Sequence, residues 1–219
     1  VGVLYVEGSI RPEYKFLRRA LSTDQNVQLV SLIRVQKNRF SASGSVGGQR
    51  LTDLPRSEED FRLFDVVILG DLDSSFLSRS QMRLLKQFVN DGGALLMIGG
   101  HNSFGPGGYS GTDLEDVLPV VVGSRSQPQE TTPFLPMLTS FGLQHPIFAG
   151  LAKYFPTVKS PAPAEKAYEL PKLSGCVTVV QPKPGATVLA VHPQRKNEFG
   201  PLIVLAVQQA GAGRSAAFA

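Results

Sequence analysis

Side chains able to do chemistry gather where apolar runs of this chain end. Glu7 and Ser9 follow the run Val1–Val6, and Asp71 and Asp73 follow Phe64–Leu69. Gly99, Gly100, His101, Asn102 and Ser103 follow Ala94–Ile98, and the glycine-rich stretch continues past Tyr109 to Gly111. His145 stands apart, before Pro146. Two carboxylates two residues apart could hold a divalent cation or sugar hydroxyls. An aspartate leaving a strand more often caps the helix that follows, here through Leu72 to Ser75, and that is the plainer expectation for this pair. Ser103 and His101 could form a nucleophile and its base. Neighbours in one tight loop rarely aim at each other, however, and no acid stands at a recognisable spacing to orient the imidazole, although Glu7, Asp71 or Asp73 could approach in space. The glycine-rich run is no P-loop, because no Gly-Lys-Ser/Thr follows, and no Gly-x-Gly-x-x-Gly opens a helix. Its backbone N–H groups could cradle an anion; a loop that needs positive φ to cross the strand ends explains the glycines as well.

The elements that must position these groups are legible from periodicity. Val1–Val6, Asn26–Ile33, Phe64–Leu69 and Ala94–Ile98 are apolar runs of strand length, as expected for strands buried on both faces. Between the first two, Tyr14, Leu17 and Leu21 recur at helical spacing behind Pro12, with Ser9 as the expected cap. Ser78 to Gln81 forms a capping box ahead of the stripe Leu84, Leu85, Phe88 and Val89, and Asp91-Gly92-Gly93 ends that helix. Arg34 to Pro55 breaks the alternation, with Lys37, Arg39 and Arg50 flanking a Gly/Ser stretch. A solvated surface loop is expected there, with a mobile basic loop over a ligand site as the other reading. Thr112 caps a short helix that Pro119 stops. Prolines then mark irregular stretches (Pro128, Pro133, Pro136, and later Pro156, Pro161, Pro163 and Pro171). Val177–Val180, Thr187–Val191, Leu202–Val207 and Ser215–Phe218 read as closing strands. The pattern predicts an α/β fold: a flavodoxin-like, doubly wound, mostly parallel sheet with antiparallel hairpin strands near the C-terminus. Its ligand cleft belongs at the carboxyl ends of the strands. No internal repeat or linker interrupts it, so residues 1–219 are expected to form one domain, and both ends look cut from a longer protein.

Composition narrows the partners. A net charge of +4 is mild for this length. Arg34, Lys37, Arg39 and Phe40 form the sole basic cluster with an aromatic, and tryptophan is absent, so no nucleic-acid partner is expected. One cysteine and three histidines exclude a disulfide framework and a multi-cysteine zinc site, and no metal or cofactor is expected. Cys176, at the start of a late strand, is expected to be a small core residue. No apolar run reaches the length of a membrane span, so a soluble domain with no membrane insertion of its own is expected.

Taken in order, several of these segments resemble the class I glutamine amidotransferase-like superfamily. The resemblance is nearest to its subgroup of glutamine amidotransferase domains without assigned activity, akin to trehalose-utilisation-type proteins. It rests on Leu4–Ser9 with Arg11–Tyr14, Phe64–Asp71, Asp91–Gly100, Ser103-Phe104-Gly105 with Gly107-Gly108-Tyr109, and His145–Phe148. It spans most of residues 1–150 and continues weakly to the end. The resemblance implies a cysteine nucleophile in a Gly-x-Cys-x-Gly turn after a strand, oriented by a late histidine and glutamate. Here that turn is Gly99–Ser103 and holds no cysteine, so glutamine hydrolysis by the family route is not expected. His192-Pro193-Gln194 looks like the His-Pro-Glu of active members, but Gln194 replaces the acid and a hairpin turn follows, so the match is taken as coincidence. The resemblance therefore implies a non-catalytic ligand-binding or protein-interaction module of a larger, membrane-anchored bacterial protein, with a small molecule or the parent's other domains as partner. The alternative is a hydrolase of a small amide, ester or sugar. The candidate cleft comprises Glu7, Ser9, Asp71, Asp73, Gly99, Gly100, His101, Asn102, Ser103, Tyr109 and His145.

Overall fold

A computed structural model describes residues 1–36, 39–160 and 170–219. Lys37, Pro161 and Pro163, discussed above, lie outside these residues. The strands, in chain order, are β1 (Gly2–Glu7), β2 (Gln28–Gln36), β3 (Arg39–Gly44), β4 (Val66–Leu69), β5 (Ala94–Ile98), β6 (Val120–Val121), β7 (Gln129–Glu130), β8 (Met137–Leu138), β9 (Cys176–Val177), β10 (Gln181–Pro182), β11 (Thr187–Asn197), β12 (Gly200–Ala210) and β13 (Gly213–Phe218). The helices are α1 (Pro12–Thr23), α2 (Glu58–Phe61), α3 (Arg79–Asn90), α4 (Asp113–Val117) and α5 (Ser140–Gln144).

Among the described residues nine strands form one sheet in the order β3-β2-β1-β4-β5-β13-β12-β11-β8. Its centre, β2-β1-β4-β5-β13, is parallel throughout. Antiparallel strands flank it on both sides: β3 on β2, and β12, β11 and β8 beyond β13. This is the doubly wound, flavodoxin-like arrangement, closed by antiparallel hairpin strands. After β1 the chain steps to β2 on one side; it later returns to β4 on the other. The strand order therefore reverses at the carboxyl ends of β1 and β4, and helices on opposite sides leave a crevice there.

Burial explains why the segments fold as they do. Every residue of β1 is buried, because helices or loops cover both faces of a central parallel strand. On one face Tyr14, Leu17 and Leu21 of α1 pack over Val3, Tyr5 and Ile68. On the other, Met82, Leu85 and Val89 of α3 join Leu4, Val6, Val67, Leu95 and Met97 in the main core. A further cluster, with Phe134, Phe148 and Cys176, covers the antiparallel end.

Local expectations change in places: of the closing strand expected at Val177–Val180 only Val177 is strand, in β9, which pairs with β7 outside the nine-stranded sheet. The helix cap is Arg11, with Pro12 at the first helical position, and Ser9 instead donates its hydroxyl to the Asp71 carboxylate at 3.0 Å. A buried carboxylate is a stronger acceptor requirement than an exposed helix end, which water can satisfy. The stretch after Arg34 also holds more order than a loop: β2 runs on to Gln36, and Arg39–Gly44 returns along it as an antiparallel edge strand. Its alternation is carried by serines and alanine, too weakly apolar to register as a strand.

Candidate functional site at the carboxyl edge of the sheet

At the reversal point β1 ends on a buried carboxylate. Glu7 is 0% exposed and is the acceptor for a full set of donors. Oε2 takes the Tyr5 hydroxyl at 2.8 Å and Arg11 Nε at 3.1 Å; Oε1 takes the N–H groups of Asp71 at 2.7 Å, Gly8 at 3.1 Å and Ser9 at 3.5 Å. Burial, with the nearby Glu7 charge, pushes the Tyr5 phenol far above its ordinary value, so it donates and does not ionise. Arg11, four residues on, spans from Glu7 to the Gly99 carbonyl; its remaining terminal nitrogen, Nη2, is buried without a partner among the described residues. Gly70 is required beside this carboxylate: a Cβ there would stand 2.2 Å from Glu7 Oε2.

Asp71, 5% exposed, is similarly enclosed. Besides the Ser9 hydroxyl it accepts the Asn102 N–H on Oδ1 and the Asn102 side-chain amide on Oδ2 at 3.2 Å. It thus ties the strand end after β4 to the turn after β5. A Cβ on Gly100 would meet the Asp71 carboxyl at 2.6 Å, which explains a glycine at the turn's second position.

Ser103 is 0% exposed, and its hydroxyl is engaged within the turn: it accepts the Gly100 N–H at 2.8 Å and donates to the Gly100 carbonyl at 3.1 Å. That carbonyl also accepts Gln129 Nε2 of β7 at 3.0 Å. His101 lies on the surface, and no hydrogen bond joins it to Ser103 among the described residues. Phe104, next in the chain, is buried with φ +50°, a left-handed conformation that packing must hold in a non-glycine residue. Tyr109 is buried and donates its hydroxyl to the Leu72 carbonyl at 2.7 Å, so the glycine-rich loop is pinned back over the strand ends. Gly108 and Gly111 have positive φ, whereas Gly99, Gly100, Gly105 and Gly107 serve close backbone approach instead.

Asp73 caps the short 3₁₀ turn Ser74–Phe76, accepting the Ser75 N–H at 2.9 Å, and pairs with Arg125 at 2.8 Å. Burial works to raise its carboxyl, but the hydrogen bonds from Arg125 and Ser75 together outweigh it and hold it below the usual carboxylate range. His145 caps the turn Pro146–Phe148 through Nδ1, which accepts the Ile147 N–H at 3.3 Å. The structure therefore brings Glu7, Ser9, Asp71, Gly99, Gly100, Asn102 and Ser103 into one bonded cluster, sets Asp73 and Tyr109 at its flank, and gives His145 a separate local role. Arg11, Arg34 and Gln129 complete the surroundings: Arg34 Nε donates to the Gly8 carbonyl at 3.1 Å, and its guanidinium lies 4.1 Å over the Phe76 ring. Arg11 was findable from its i+4 spacing to Glu7, whereas Gln129 had no local signal.

Cys176 lies elsewhere, buried on β9 opposite Glu130 of β7. Burial first, then the Glu130 charge, pushes its thiol up to about 11. It is a core thiol with little thiolate character. Among the described residues no group of three or more His, Cys, Asp and Glu is placed to hold a metal.

The family model described as "putative glutamine amidotransferase" matches residues 29–219. The chain belongs to this family. Two solved structures agree with this amidotransferase-like fold, cytoplasmic proteins STM3548 of Salmonella typhimurium and STM1381 of Salmonella typhimurium LT2. They are 18% and 17% identical, with TM-scores of 0.68 and 0.67, and each match covers 100% of this chain and 87% of theirs. A cold-adapted β-galactosidase from Rahnella sp. R3 matches over 99% of this chain but 28% of its own, at 12% identity and a TM-score of 0.51. No curated protein matches by sequence. Among the described residues no helix is long and apolar enough to cross a membrane.

An open concavity lies away from this cluster. A groove of about 600 Å³ runs along the amino edge of β4, β5 and β13, framed by Phe61, Phe64, Phe88 and Arg214. Of its carboxylates, Asp65 and Asp91 accept from the Gly2 N–H and from Gln87. At the carboxyl edge the loop from Gly99 to Tyr109 is tied back through the Tyr109 hydroxyl to the Leu72 carbonyl, and it is there that polar groups converge at the reversal point.

Proposed function

We propose that this chain is a non-catalytic ligand-binding or protein-interaction domain that keeps the amidotransferase scaffold without its hydrolytic chemistry, and that it serves within a larger bacterial protein. The observation that carries this reading is the turn after β5. It offers no thiol; its one hydroxyl, on Ser103, is fully buried and engaged with Gly100; and the sole cysteine sits on β9 with its thiol raised. A nucleophile needs exposure, a base within hydrogen-bond reach and donors for the oxyanion. Among the described residues Ser103 has neither exposure nor a base within reach. The proposed binding surface is the rim of the carboxyl-edge cluster, with Glu7, Ser9, Asp71, Asp73, Gly99, Gly100, Asn102, Ser103 and Tyr109 as its frame and His101 at its exposed lip. Its partner is a small molecule or another domain of the parent protein. That a β-galactosidase accommodates the same fold in 28% of its chain supports a role as one part of a longer polypeptide.

The test combines two measurements on one preparation. Ammonia release from glutamine is expected to stay at the level of a buffer blank, and hydrolysis of small esters likewise. Thermal unfolding is then followed against glutamine, other amino acids, sugars, nucleotides, phosphate and divalent cations. A ligand at 100 times its dissociation constant raises stability by about 2.7 kcal/mol. A shift abolished by Asn102→Ala supports the cleft as a binding surface; a flat panel directs the reading to protein partners. Turnover of an ester or amide that Ser103→Ala abolishes would overturn the non-catalytic reading and restore the hydrolase.

A further inference from the structure

The β11–β12 hairpin contains an irregularity that a single imidazole holds together. Val191 pairs with Ile203 and Lys196 with Pro201, so His192, Pro193, Gln194 and Arg195 stand opposite Leu202 alone. A bulge of that size strips main-chain N–H groups of their ladder partners. Pro193 has none to lose. Those of Gln194 and Arg195 are both taken by His192 Nδ1, at 3.1 and 2.9 Å. An imidazole nitrogen accepts only while it carries no proton, so this geometry fixes the neutral tautomer with hydrogen on Nε2. That nitrogen is buried without a partner among the described residues, and the ring lies 4.0 Å from the Phe134 ring. A second proton would therefore convert the acceptor of two bonds into a donor facing two N–H groups.

The turn so held carries Arg195 to Glu130, Nε to Oε2 at 2.6 Å. Glu130 belongs to β7, whose other residue, Gln129, holds the Gly100 carbonyl of the turn after β5. The charged and titratable groups around the imidazole are Glu130 and Cys176 on the paired β7 and β9, and Arg195 and Lys196 on its own strand; Phe134, Met137 on β8 and Leu202 on β12 add none.

We propose that His192 is an acid-sensitive latch: protonated at Nδ1, it releases the Gln194 and Arg195 N–H groups, opens the bulge and frees the Arg195–Glu130 pair that braces the turn after β5. Burial, aided by Arg195 and opposed by Glu130, holds this imidazole below its ordinary value, so the latch stays closed at neutral pH and opens on the acid side. The latch does not depend on what, if anything, binds at the carboxyl edge.

The test is amide hydrogen exchange read by NMR, corrected for the intrinsic pH dependence of exchange, on the wild-type chain and on His192→Asn. An asparagine side-chain oxygen can accept the same two N–H groups and does not titrate. Protection of Gln194 and Arg195 is expected to fall about tenfold or more between pH 7 and pH 5 in the wild type, and to stay level in His192→Asn. Protection that is level in the wild type overturns the proposal. So does an equal fall in the variant, which would mean that another group titrates. If the variant does not fold, the imidazole carbon-bound proton shifts of the wild type decide: they must titrate together with the two amides, and a titration that leaves the amides protected overturns the latch.

Discussion

At the residue scale the carboxyl edge is a set of acids spent on their own protein. Glu7 has its donors in place and a partly buried cation beside it; glutamine keeps one oxygen for part of that set, puts an NH2 donor against the rest and removes the charge that Arg11 pairs with. Glu7→Gln, nearly isosteric, is expected to lower unfolding free energy by about 3–5 kcal/mol in urea titrations, the scale for breaking a buried charge pair on one side. Gly70→Ala tests the same geometry from the other direction: the methyl group meets the carboxylate and not a flexible tip, and a loss of similar size is expected. Cys176 makes a separate prediction. A thiol raised to about 11 is ionised some two orders of magnitude less at pH 8 than an ordinary one, and it is also buried. Reaction with a disulfide dye at that pH is expected only after denaturant is added. Fast reaction in the native state would place this sulfur within reach of chemistry.

At the scale of elements, the sequence was most legible where one periodicity ran uninterrupted. The apolar runs of β1, β4 and β5 announced buried parallel strands. The box at Ser78 and Gln81 formed as expected, each side chain bonded to the other's main chain, and Ser78→Ala is expected to cost about 1 kcal/mol in thermal or urea unfolding. Thr112 also caps its short helix. What stayed hidden depends on partners distant in the chain. β7, β9 and β10 are two residues long, too short for any pattern, and exist only because β7 meets β9 and β10 meets β6. The bond from Gln129 to Gly100 spans 29 positions, and glutamine in a proline-rich stretch announces nothing. His192-Pro193-Gln194, set aside as a chance likeness, turns out to plug a bulge, and no local rule foresees a bulge of that size. The hairpin also makes a bulk prediction. An imidazole held below its unfolded value of about 6.5 binds its proton more readily once the chain unfolds, so its contribution is complete above that pH and declines as pH falls through it. Unfolding free energy measured between pH 7.5 and pH 5 is expected to drop on the acid side, and to drop less in His192→Asn.

At the scale of the whole molecule, the strand order decides when this structure can exist. β13, the last strand, lies between β5 and β12 and hydrogen-bonds to both. Until Gly213–Phe218 is in place there are two partial sheets, each with a long unsatisfied edge. A chain emerging from the ribosome can assemble β1 to β5 around α1 and α3, yet it must hold the β5 edge open through more than a hundred further residues. Contacts of such long range slow the rate-limiting step and lengthen the time in which another strand can pair with that edge. Stability is therefore not the first hazard for this fold; the wait for its final strand is.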